Sequence, residues 1–512
     1  MNAQKSIKNI VSNILSQIII LALGIVIPRL VLVHLGSESN GLLSSVNQML
    51  AYVALLEAGV GAASLQALYK PVAEQSKEEI SEVLAATDHF YKRTGTLYFI
   101  AVLVLSLGFP YTIKTELSKS TVMWTVLLSG LPGVVNYYFQ GKYRVLLRAE
   151  GKNYILTNLT TIIHVFTNTS KIILLLNGFN VVALQAMYLC FDVVQMVFIV
   201  GYIKRHYKWL DLKVRPNYSA ISQSRNAMVH QISGFIFNNT DTMILTWFCG
   251  LSTVSVYSMY IMFYGMIATM ITNFNGANFI FGQSFHTDRK RYMNLHDMFE
   301  TYNMALTFSL FTITNIFILP FLKLYTESIL DAQYIDEYLP YLFAATYLLS
   351  NGRTSATQVI EFAGHFKQTQ WRAVIESVIN IVVSLLGVYH FGIYGVLLGT
   401  IAALLYRTND MIFYANKKIL NRNPWITYRR WLLNLGLFIV VTFVAKWVFS
   451  FIALDSYITI ILWAIVCCLV IIPFFFITVS LFEREAYRFA KELVMPYLKA
   501  AWGKLRRGKT AA

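Results

Sequence analysis

Fourteen apolar stretches, each about 20 to 25 residues long, take up 323 of the 512 residues of this chain and restrict the solvent it can fold in. About 20 helical residues cross a hydrocarbon layer roughly 30 Å thick. The stretches fall at residues 10–33, 42–66, 94–112, 121–141, 154–176, 180–203, 227–249, 253–278, 303–325, 339–362, 369–390, 394–414, 431–453 and 457–481. The fourth is the least regular, because Asn136, Tyr137, Tyr138 and Gln140 interrupt it. Charged residues make up 13% of the chain, about half the roughly 25% of a soluble domain. These features define an all-α polytopic membrane protein with fourteen transmembrane helices.

The net charge of +16 does not point to nucleic acid, since the basic residues are dispersed between apolar runs and form no reading module. They report topology instead. With the N-terminus inside, 35 of the 42 Lys and Arg fall in cytoplasmic segments or at the cytoplasmic ends of spans, as the positive-inside rule requires. Both termini are then expected in the cytoplasm. The four cysteines, Cys190, Cys249, Cys467 and Cys468, form no CxxC and sit by no histidine cluster, so neither a disulfide framework nor a metal site is indicated. The run at 10–33 is too long for a signal-peptide core and is read as a retained span. Residues 71–93 read as a charged linker helix, and 482–507 as an amphipathic helix lying on the inner leaflet.

Three glycine pairs share one spacing. Gly36 and Gly250 follow spans 1 and 7, Gly151 and Gly364 precede spans 5 and 11, and Gly178 and Gly392 precede spans 6 and 12, at offsets of 214, 213 and 214 residues. Spans 1–6 and 7–12 therefore read as parallel copies around a central cavity, with spans 13 and 14 appended. The expected organisation is a six-helix bundle over 1–203, a linker over 204–226, a second bundle over 227–415, a loop with the last two spans over 416–481, and a tail over 482–512.

Several short segments carry a family resemblance: Leu35-Gly36 followed by Gly41-Leu42, Leu55 to Gly61 in span 2, Arg148-Ala149-Glu150-Gly151-Lys152 after span 4, and Asn238 to Thr242 followed by Val256-Tyr257-Ser258. Together with fourteen spans, the chain resembles the Wzx-type polysaccharide transporters of the multidrug/oligosaccharidyl-lipid/polysaccharide (MOP) superfamily. The resemblance implies no enzyme but a flippase that carries an undecaprenyl-diphosphate-linked oligosaccharide to the periplasmic leaflet for O-antigen, capsule or exopolysaccharide. It implies as partners that glycan, membrane lipids, and a polymerase or glycosyltransferase complex. Spans 13 and 14 would shape a groove for the lipid tail. One departure is Glu57, where the family often carries aspartate.

A charged headgroup crosses hydrocarbon only through a polar chamber, because desolvating it costs more than lipid contacts return. An intramembrane arginine or lysine is the natural counter-ion. Arg353, near the middle of span 10, with Arg29 and Lys171, are the candidates for the diphosphate. Arg29 and Lys171 could instead snorkel to the outer interface, and Arg353 could form a structural ion pair with Glu361 or Asp192. Glu57, Asp192 and Asp241 also lie inside spans; they could couple transport to Na+ or H+, or neutralise the basic residues in an empty chamber. Asn239, Asn273 and Asn275 are candidates for sugar hydroxyls, the alternative being interhelical hydrogen bonds. His164 and His230 read as packing residues. A small-molecule exporter of the same superfamily would more naturally have twelve spans and an acidic chamber, and a membrane polymerase or ligase a large external loop.

Overall fold

Lipid offers no partner to a backbone amide, so a segment that crosses it satisfies its hydrogen bonds within itself, and this chain does so with helices. The computed structural model describes residues 3–57, 60–218, 225–274 and 287–493, with 281, 284, 285 and 495. Among the described residues there is no strand. The helices are α1 (Ala3–Ala54), α2 (Val60–Glu74), α3 (Lys77–Thr112), α4 (Lys119–Val135), α5 (Gly141–Ala149), α6 (Asn153–Leu176), α7 (Val181–His206), α8 (Arg225–Phe248), α9 (Leu251–Phe274), α10 (Arg289–Tyr325), α11 (Leu339–Gly352), α12 (Thr354–Phe362), α13 (Phe366–Phe391), α14 (Ile393–Tyr414), α15 (Trp425–Phe449) and α16 (Tyr457–Phe482). In chain order they follow the fourteen expected segments.

Ten helices among the described residues are long and apolar enough to cross a membrane. Two of the four other expected spans, the first and seventh, are helical in α1 and α8, with part of their side chains outside the described residues. The second and tenth are helical but broken, at a 3-10 turn over Leu55–Glu57 and at Arg353. The apolar surface points outward: on α16 only 22% of the spanning stretch is buried within the protein, and Ile461, Leu469 and Ile477 are exposed. A soluble monomer would not expose a patch of that extent.

Two elements differ from their expected form. The segment at 71–93 is no separate linker helix, because α3 continues from its charged start through span 3 for 36 residues. The fourth span is three pieces, α4, a π-helical turn over Asn136–Gln140, and α5. Pro132 and the polar run after it account for the irregularity, since π-turns arise where the regular ladder is interrupted.

The glycine repeat has a physical basis. Gly36, Gly151, Gly178, Gly250, Gly364 and Gly392 all have positive φ, between 53° and 89°, and they are the only such glycines among the described residues. Glycine adopts that backbone at the least steric cost. At Gly36 the chain kinks between the two halves of α1, and Asp331 secures the kink by accepting from Ser37 N at 2.7 Å and Ser37 Oγ at 2.6 Å. The broken spans repeat too: α5 and α12 are both nine residues long, 213 residues apart.

Two compact units emerge. Met1–Met259, Thr326–Gln333 and Ile381–Val396 form the first; Tyr260–Tyr325, Tyr334–Asn380 and Leu397–Ala512 form the second. The first packs Leu42, Val46, Val102, Val122 and Val126 into one core and Leu68, Leu84, Leu146 and Ile203 into another. In the second, Val359, Ile360, Ile412 and Leu420 form the core, and α10 packs against both α15 and α16. That contact joins the appended pair to the unit.

Candidate functional site

In the second unit, the run Ser350-Asn351-Gly352-Arg353-Thr354 is poor in helix formers, and its side chains bond to local backbone. Thr354 Oγ1 donates to Asn351 O at 2.6 Å and Thr357 Oγ1 to Arg353 O at 3.1 Å, which satisfies carbonyls near the break. Gly352 is required there by proximity: a Cβ would stand 2.2 Å from Cζ2 of Trp431. The interruption turns Arg353 out of the regular helical path and toward α13.

Arg353 Nη1 donates to Glu376 Oε1 at 2.6 Å. The partner is Glu376, not Glu361 or Asp192. Glu376 Oε2 lies 3.5 Å from Arg407 Nε, Arg407 Nη1 donates to Asp410 Oδ2 at 2.9 Å, and Arg372 also pairs with Asp410. Three guanidiniums and two carboxylates thus alternate across the α11–α12 break, α13 and α14, and the cluster retains one positive charge. Arg407 and Glu376 are buried, Arg353 is half-buried and Arg372 reaches the exposed edge. Arg372, Glu376, Arg407 and Asp410 were not anticipated; the signal was present as charges spaced by four and three residues within two adjacent spans.

The first unit places Lys171 and Asp192 together. They face a cavity of 210 Å³ with Arg144, His164, Asn168, Tyr188 and Gln195. Its α6 wall, Thr160, His164, Thr167, Asn168 and Lys171, is one helical face. Lys171 Nζ sits 5.2 Å above the Tyr188 ring, and the Gln140 side chain lies beside Asp192. Among the described residues, Arg144 Nε and Asp192 Oδ2 have no hydrogen-bond partner. Lys171 is turned inward here rather than snorkelling, and His164 faces a polar cavity rather than packed hydrocarbon.

The remaining candidates are dispersed. Glu57 accepts from Tyr91 Oη at 2.9 Å at the end of the 3-10 turn. Buried Asp241 accepts from Tyr257 Oη at 2.9 Å. Asn239 donates to Phe235 O of its own helix at 2.7 Å, which engages its amide locally. Arg29 is half-buried on α1. Asn275 and the side chains of Asn273 and His230 lie outside the described residues.

A third feature belongs to the appended pair. Between α15 and α16 runs an open groove of 700 Å³ walled by Leu433, Val440, Val444, Val448, Val466, Val470 and Phe474, with no charged residue in its lining. At the other end of the pair, the described residues hold a dense ionic junction. Arg430 reaches Asp297 at 2.8 Å and Glu483 at 2.9 Å and also pairs with Glu300, which is fully buried and accepts from Ser355 and Thr427.

No family model matches the sequence, and no curated protein matches it. Solved structures do. The lipid II flippase MurJ in an inward closed conformation superposes with a TM-score of 0.63 at 14% identity, covering 93% of this chain and 98% of its own. An inward-facing multidrug resistance MATE family transporter of the MOP superfamily gives 0.58 at 16% identity, covering 78% and 94%. At these identities the likeness defines architecture: the protein is a helical, multi-pass membrane protein. Its fold is that of these two solved structures.

Proposed function

We propose that the protein is a flippase that moves a polyprenyl-diphosphate-linked oligosaccharide from the cytoplasmic to the periplasmic leaflet by alternating access, serving O-antigen, capsule or exopolysaccharide assembly. The observation that carries this reading is the uncharged groove between α15 and α16, which suits a long hydrocarbon tail. Fold similarity that extends over 93% of the chain for a flippase supports it. The cationic excess around Arg353 and around Lys171 supports an anionic headgroup, and a planar guanidinium can hold two phosphate oxygens at once. Glu57, Asp192 and Asp241 are the acids through which Na+ or H+ would drive the cycle.

The test is reconstitution in liposomes carrying a fluorescent polyprenyl-diphosphate glycan, with leaflet position read by a membrane-impermeant quencher. Protein-dependent equilibration that is lost on Arg353→Ala is expected; none with wild-type protein would overturn the reading. A second reading, an ion-coupled small-molecule exporter, is favoured by the MATE-like fold over 78% of the chain. It predicts efflux of cationic dyes from the same liposomes and no glycan movement.

A further inference from the structure

Where α16 ends, the chain turns at Glu483 and continues as a helix over 484–493. Glu483 is occupied by Arg429 and Arg430. Among the described residues, no carboxylate lies within 4 Å of the basic residues that follow, Arg484, Arg488 and Lys491. Their spacing of four and three sets them on one helical face. With Tyr487 they form one side of a cavity of 780 Å³ whose other wall is Phe476, Ile477 and Leu481 of α16. Tyr302 of α10 fixes the floor: its ring stacks on Phe476 at 5.5 Å and its hydroxyl shares a hydrogen bond with Ser480 at 3.0 Å. The groove is therefore preformed, with hydrocarbon on one wall and three cations on the other.

We propose that this groove binds an anionic phospholipid, with its phosphate between Arg484, Arg488 and Lys491 and one acyl chain along Phe476, Ile477 and Leu481. The two-sided lining is the reason, because a juxtamembrane basic cluster attracts anionic headgroups while the adjoining wall is built for hydrocarbon. A free phosphate would leave that wall unused. The chain's own tail is the wrong sign: residues 494–512 contain five Lys and Arg and no Asp or Glu. Neither Glu485 nor Glu492 lines the groove to compete for the cations. The proposal concerns a bound lipid and stands apart from whichever substrate is transported.

The experiment uses the full chain purified in neutral detergent, with native mass spectrometry counting lipid retained after addition of phosphatidylglycerol or phosphatidylcholine. Wild-type protein is expected to retain phosphatidylglycerol and not phosphatidylcholine. The Arg484→Gln/Arg488→Gln/Lys491→Gln variant is expected to lose about tenfold or more in retention, and Arg484→Lys/Arg488→Lys to keep it. An unchanged melting temperature of the triple variant in detergent without added lipid separates lost binding from lost folding; if it does not fold, the Arg488→Gln single variant must show the loss. Equal retention by wild type and triple variant, or equal retention of both lipids, overturns the proposal. So does stabilisation by inorganic phosphate that matches phosphatidylglycerol, which assigns the cations to a free anion.

Discussion

Gln140 and Arg353 occupy one station in the two repeats: each is the residue immediately before a nine-residue helix that completes a broken span, and each reaches a carboxylate on a neighbouring helix. In the first unit that acid is Asp192; in the second it is Glu376. Both lie beside a further arginine, Arg144 and Arg407. A break in the fourth span of each copy thus exposes a polar side chain where an unbroken helix would have carried it past its partner.

Arg353 is the first test of this arrangement. Arg353→Ala should abolish glycan translocation with membrane insertion intact, while Arg353→Lys should keep partial activity because a point charge replaces a planar fork. Glu376→Gln should in addition lower the thermal midpoint, since removing one member of a buried ion pair costs about 3–5 kcal/mol. Wild-type translocation by the Ala variant would remove Arg353 from the mechanism.

Lys171 and Asp192 share a cavity, so their effects should couple. A double-mutant cycle on transport rate with Lys171→Met and Asp192→Asn should give an interaction energy of about 0.5–3 kcal/mol. Strict additivity would mean that the two act independently.

The ionic junction of α15 makes a contrast within one dipeptide. Arg430 is buried against three acids, whereas the Arg429 side chain is 59% exposed. Arg430→Ala should destabilise by about 3–5 kcal/mol, and Arg429→Ala by no more than about 1 kcal/mol. Melting curves of the two purified variants decide it, and equal losses would contradict the burial argument.

Steric demand at the break is separable from charge. Gly352→Ala forces a methyl against Trp431 and should cost about 1–3 kcal/mol. Gly201→Ala, in the interior of α7 with nothing within 4 Å, should gain about 0.5–1 kcal/mol. The sign difference in thermal midpoint is the readout.

Much of the architecture was legible because hydrocarbon imposes length and loops impose backbone geometry. Gly36, Gly151, Gly178 and their counterparts could be paired from sequence because each turn needs a conformation that other residues adopt only rarely. The breaks were less visible. Hydropathy measures how apolar a stretch is, not whether its helix is continuous, so span 10 read as one helix and Arg353 as lying near its middle. Its partner was missed for a related reason: Glu376 lies on α13 and Arg407 and Asp410 on α14, and only folding shows which faces meet. His164 read as packing because it is a lone histidine, although its face of α6 carries Thr160, Thr167, Asn168 and Lys171.

From Gly36 to Gly178 the chain takes 142 steps, and from Gly250 to Gly392 it takes the same number. Each copy returns to the surface at the same count, so length changes within them must cancel before the last turn is reached. Bilayer thickness gives that parity a physical meaning: a residue added to one crossing and not offset before the last turn would move that turn from its depth, and hinge and charge would no longer meet.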